Sequence, residues 1–149
     1  MFNEEPHYEL TVRRELSEFI CTTTALMDSL VQHNQPERSS QNLLHEQRVQ
    51  QLLNHIHTHF DETITLDSLA ALISVSPSEV LRCFKAVIGL SPIRYVKNYR
   101  LRSAAHLLSN TDYPIRTVYE MCGFDDSSYF SKSFKEVYGK SPREYRSKQ

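Results

Sequence analysis

Residues 84–95 read FKAVIGLSPIRY, and residues 134–145 read FKEVYGKSPREY. Phe84-Lys85, Gly89, Ser91-Pro92 and Tyr95 thus recur as Phe134-Lys135, Gly139, Ser141-Pro142 and Tyr145, each 50 residues further on. A fixed period of this kind marks one supersecondary unit used twice. Upstream of the first copy stands Leu66-Asp67-Ser68-Leu69-Ala70-Ala71-Leu72-Ile73-Ser74-Val75-Ser76, and upstream of the second Ile115-Arg116-Thr117-Val118-Tyr119-Glu120-Met121-Cys122-Gly123-Phe124. Each reads as a short amphipathic helix, a small residue where the chain turns, and a second helix. That is the sequence form of a helix-turn-helix, whose second helix can enter a DNA major groove. The upstream halves align at 49 residues, Leu69 with Val118 and Ser74 with Gly123. The second unit therefore carries one extra residue near Asp125-Asp126, in a capping loop that absorbs length changes.

Composition agrees with helices. Of 149 residues 40% are hydrophobic, enough for a packed core, and only three are glycine. No run of β-branched alternation suggests a sheet, so the expected fold is all-α: two helix-turn-helix units joined by a long connecting helix and preceded by an amphipathic helical leader. No apolar stretch reaches the ~18–20 residues that cross a bilayer. Glu4, Glu5 and Glu9 stand where a secretory signal would be basic. Cys21, Cys83 and Cys122 lack any CxxC spacing and read as reduced thiols of a cytoplasmic protein. The overall charge of −1 is uneven: residues 1–46 carry −5 and residues 47–149 carry +4. A mildly basic repeat region suits a polyanion. No catalytic constellation, phosphate loop or metal set is visible, so neither enzymatic activity nor a cofactor is expected.

Three segments follow. Residues 1–35 form the leader, with Val12, Leu16, Phe19, Ile20, Met27, Leu30 and Val31 on one helical face. Residues 36–46 read as a polar linker, and residues 47–149 as the double helix-turn-helix domain. The leader's apolar stripe must be buried, either by a homodimer through residues 8–31, by a domain beyond this sequence, or by folding back on the core. Downstream, Val49, Leu52, Leu53, Ile56 and Phe60 open a second stripe, and Thr65 or Asp67 caps the next helix. Pro92 starts a connecting helix to about Leu108, Asn110-Thr111-Asp112 end it, and Pro114 begins the next.

From about residue 49 to 149 the chain resembles the DNA-binding domain of bacterial transcription factors of the arabinose-regulator (AraC/XylS) type. The resemblance rests on Gly123-Phe124, Asp126, Ser128-Tyr129-Phe130-Ser131, Phe134-Lys135, Gly139, Ser141-Pro142 and Tyr145-Arg146. In the first unit it rests on Leu69-Ala70, Val75-Ser76, Arg82, Phe84-Lys85, Gly89, Tyr95, Arg100-Leu101 and Ala104. It implies a regulator binding promoter or operator double-stranded DNA, with RNA polymerase as a further partner, and a chain that is part of a longer protein. Three positions depart from the family pattern. Ser74 replaces a turn glycine, which suits a backbone that is not strongly left-handed. Tyr119 replaces an alanine and needs a widened helix crossing or an outward-turned ring. Lys132 replaces an arginine and cannot make the same bidentate contact with guanine.

In the first unit the recognition helix is expected from about Ser76 to Ile88. Val80 and Phe84 face inward there, while Ser78, Leu81, Arg82 and Lys85 face out. Arg82 is the leading base reader, since arginine pairs bidentately with guanine O6 and N7, and Leu81 suits a thymine methyl. In the second unit Asp126 caps a helix presenting Ser127, Ser128, Ser131 and Lys132, more permissive readers. Lys85, Lys135 and Arg146 are assigned to phosphates, where a point charge suffices. Arg100 is open between a phosphate contact and an internal salt bridge. His55 and His59 share the i, i+4 spacing of zinc sites but have no third ligand nearby in sequence, so a structural or solvent-facing role is preferred. The rival to DNA reading is a helical protein-interaction module that keeps the fold.

Overall fold

The repeated motif is a device for ending one helix and starting another. In the computed structural model, which describes residues 40–146, Gly89 and Gly139 close the recognition helices in the left-handed conformation, at φ 80° and 71°. Ser91 then caps the next helix by accepting from the Arg94 amide, and Pro92 occupies its first turn, where a missing N–H is harmless. Ser141 and Glu144 make a reciprocal cap at the second copy: Glu144 Oε2 accepts from the Ser141 amide at 2.8 Å, and Ser141 Oγ accepts from the Glu144 amide at 3.3 Å.

The described residues form α1 (Ser40–His59), α2 (Leu66–Leu72), α3 (Pro77–Ile88), α4 (Pro92–Asn110), α5 (Ile115–Met121), α6 (Ser127–Tyr138) and α7 (Pro142–Arg146). No strand occurs among them. Residues 43–146 belong to one compact unit. The leader, including residues 8–31, lies outside the described residues. Part of the expected linker is helix, because α1 already begins at Ser40. Residues 40–46 contain neither proline nor glycine to stop a helix, and polarity alone does not make a loop.

Val49, Leu52 and Ile56 of α1 pack with Leu69 and Ala70 of α2, Val80, Cys83 and Phe84 of α3, and Val96 of α4. In the second half the interior is more aromatic. Phe130 and Phe134 of α6 are fully buried with ring centroids 5.6 Å apart, and Tyr145 meets Phe134 edge-on at 5.3 Å. Leu101, Ala104, Leu107 and Leu108 of α4 and Val118 of α5 are buried as well. Tyr119 is accommodated half-buried, its ring tilted against Phe130 at 5.7 Å. The two turns differ in strain. Gly123 has φ 77°, whereas Ser74 adopts φ 54° and is the one described non-glycine residue with positive φ. Contrary to the condition set from sequence, Ser74 is left-handed, a conformation that disfavours a side chain.

Arg100 joins the two halves in an internal role, with backbone carbonyls as its hydrogen-bond partners and the charges of Asp125 and Asp61 close enough to act on it. It donates from Nε to the Phe60 carbonyl at 2.6 Å, from Nη2 to the Glu62 carbonyl at 2.6 Å and from Nη1 to the Gly123 carbonyl at 2.7 Å. The guanidinium thus serves as a fork for backbone carbonyls past the end of α1 and at the second turn. Its half-buried position pulls its pKa down.

Candidate nucleic-acid interface

Two exposed helix faces correspond position by position. On α3, Ser78, Leu81, Arg82 and Lys85 are exposed, while Val80, Cys83 and Phe84 are buried. On α6, 50 residues later, stand Ser128, Ser131, Lys132 and Lys135, with Phe130, Ser133 and Phe134 buried. Spacing of i, i+3, i+4 and i+7 puts each set on one side of its helix. Ser128, Lys132 and Lys135 are exposed, as is Ser127 at the first turn; Ser131 is half-buried, so it offers less of its hydroxyl than expected. Ser76 caps α3 through the Glu79 amide at 3.2 Å, and Asp126 caps α6 through the Tyr129 amide at 2.6 Å. These caps fix where each first turn presents its side chains.

Arg82 is 68% exposed, and its Nη2 pairs with Glu79 Oε2 one turn back. Glu79 is also held from α1: Arg48 Nη1 lies 2.8 Å from Oε1, and His45 Nε2 lies 3.6 Å from it. The Cys83 thiol donates to the same oxygen at 3.3 Å. The Cys83 hydrogen bond and the Arg82 and Arg48 guanidiniums hold the Glu79 carboxyl below the usual range. Burial and the Glu79 bond push the Cys83 thiol up. Donor atoms of His45, Glu79 and Cys83 lie within 4.8 Å of one another. Two guanidiniums already neutralise the carboxylate, so the arrangement is better suited to arginine than to a metal ion.

At the position equivalent to Glu79 the second unit has Tyr129, 53% exposed, with Lys97 Nζ 5.1 Å above its ring. Lys97 also approaches Glu136 at 3.8 Å. The sequence reading missed both Glu79 and Tyr129. The i, i+3 spacing of Glu79 and Arg82 was the available signal; Lys97 comes from another helix and left none.

Arg146 is placed differently from its phosphate assignment. It sits beside Leu108, Ser109, Asn110, Thr111 and Asp112 at the end of α4, with Nε and Nη2 closed off from solvent. The histidines are structural in part: His57 shares a 2.8 Å hydrogen bond with the Tyr95 hydroxyl and stacks on Tyr99 at 4.7 Å. The His55 and His59 rings stack on each other at 4.5 Å.

Fold and faces together define a double helix-turn-helix protein. A family described as "Helix-turn-helix domain" matches residues 69–148. The arabinose operon regulatory protein of Escherichia coli (strain K12) is 36% identical over 102 residues, 68% of this chain and 35% of that one. The C-terminal domain of AraT, a response regulator from Geobacillus stearothermophilus, is similar at TM-score 0.66 and 36% identity, over 68% of this chain and 85% of that domain. The DNA-binding domain of AdpA, a global transcriptional factor solved in complex with a target DNA, is similar at TM-score 0.65 and 26% identity, over 68% and 91%. The chain belongs to the helix-turn-helix family of arabinose-regulator type. It spans less than half the length of the curated relatives it matches.

Proposed function

We propose that this chain is a sequence-specific double-stranded-DNA-binding transcription regulator of bacterial promoters or operators, acting in the cytoplasm. α3 and α6 enter adjacent major grooves about one helical turn, roughly 34 Å, apart. Ser78, Leu81 and Arg82 read bases from α3; Ser127, Ser128, Ser131 and Lys132 read them from α6. Lys85 and Lys135 engage phosphates, and Arg146, with two nitrogens closed off, leaves that set. The observation that carries the reading is the pair of exposed faces at matched positions, each ending in a lysine. A homodimer through residues 8–31 and contact with RNA polymerase extend the proposal, on the strength of the leader's apolar stripe and the family.

Binding of Arg82→Ala and Lys135→Ala to duplex panels at several salt concentrations tests the assignment. Arg82→Ala is expected to relax preference at one base position by about 1–3 kcal/mol. Lys135→Ala is expected to weaken binding to every sequence and lower the salt slope by about 1. Equal loss on all sequences from Arg82→Ala contradicts its base-reading role. Affinity independent of salt contradicts DNA as the partner and favours a protein-binding module.

A further inference from the structure

Ser76-Pro77-Ser78-Glu79 and Ser141-Pro142-Arg143-Glu144 are the same local sequence: a capping serine, a first-turn proline and a glutamate three residues on. Glu144 does what that context favours and turns back onto Ser141 Nα and Oγ, at 2.8 and 2.7 Å. The Glu79 carboxylate goes elsewhere, one oxygen to Arg48 of α1 and the other to Arg82 of the recognition helix. The carboxylate is therefore not merely a cap.

We infer that Glu79, anchored by Arg48, is the positioning residue that confines Arg82 to the base edges. An arginine on a long flexible stem, free on a helix face, reaches phosphates of any sequence as readily as a guanine. Glu79 Oε2 pairs with Nη2 and holds the guanidinium in place, while Arg82 keeps further N–H groups to offer guanine O6 and N7. The carboxylate also repels phosphate, which further weights Arg82 toward bases. Arg48 is only partly exposed and lies on α1, so it acts through Glu79. The second unit supplies an internal contrast. Its equivalent positions are Tyr129 and Lys132, a tyrosine engaged with Lys97 and a lysine with no fork to orient. Base selectivity at the first box is thus set partly from α1.

This inference rests on Arg82 being a base reader, and the test separates the two. Arg82→Ala first identifies the base position it governs. Glu79→Gln and Arg48→Gln are then assayed against duplexes carrying each of the four bases there, with thermal unfolding as the check on folding. Discrimination at that position is expected to fall about five- to tenfold in either variant, at the low end of the range spanned by one bidentate contact. Affinity for non-specific duplex is expected to hold or rise in Glu79→Gln, a result that simple damage to α3 does not produce. If Arg82→Ala changes no base preference, the base-reading assignment fails and the inference falls with it. If Arg82→Ala relaxes one position while either folded variant leaves that position intact, the inference alone is overturned.

Discussion

At the scale of single residues, three glycines do two different jobs. Gly139 needs only its left-handed angle, φ 71°, and a Cβ built there meets nothing within 4 Å. Gly123, at φ 77°, needs the angle and the space: a Cβ would lie 2.9 Å from the Asp61 Cα and carbonyl oxygen and 3.0 Å from Arg100 Cζ. Gly139→Ala is therefore expected to destabilise by about 1–2 kcal/mol, the strain of a left-handed alanine. Gly123→Ala adds overpacking against backbone that cannot swing away, for about 2–4 kcal/mol in total. Urea unfolding of both variants checks this, and equal losses contradict the account. Both glycines stand in the motif, and Gly123 was legible as the turn residue. Its approach to Asp61 was not, because contact across 62 residues leaves no local pattern. Ser74 is the converse case, since its identity predicted an easier backbone than it has. The exposure of Arg82 was legible from helical periodicity, while the carboxylate that holds it was hidden in what reads as an ordinary cap.

At the scale of elements, α4 is more than a spacer. It places Tyr95 and Tyr99 against His57 near the end of α1, and Tyr99 against Phe60 at 5.2 Å. Burial, reinforced by the positive charge of Arg102, pushes His57 down from 6.5 to about 4. The unfolded chain takes up a proton on this ring near pH 6.5 and the folded chain only near pH 4. Between those values the unfolded state binds more protons, so stability falls as pH is lowered through that window. The ring is partly solvated, which leaves an expected loss of about 1–3 kcal/mol between pH 7 and 4. Urea midpoints measured across the window should decline in the wild type and more shallowly in His57→Gln; equal slopes contradict a buried neutral His57. From sequence this histidine was one of three in HIHTH, and the stripe of α1 did not say which would meet the tyrosines. Helix existence was legible throughout the repeats, because caps and prolines announce starts and glycines announce stops. The beginning of α1 was not, since residues 40–46 hold only Leu43 and Leu44 as apolar residues and contain no breaker.

At the scale of the two units together, one motif is used twice with different residues on its two exposed faces. The matched sets, Ser78, Leu81, Arg82 and Lys85 against Ser128, Ser131, Lys132 and Lys135, keep a terminal lysine but differ in the groups proposed to meet bases. Arginine held by a carboxylate on α3 contrasts with serines and lysine on α6, so one chain should read two unlike boxes rather than a palindrome. The measurement that tests this most directly is selection of the chain from a random duplex library at near-physiological salt, followed by sequencing. Two dissimilar boxes are expected, with centres roughly 10–10.5 base pairs apart, the more selective one lost in Arg82→Ala. No enrichment by folded protein, or one box unaffected by Arg82→Ala, would contradict that expectation.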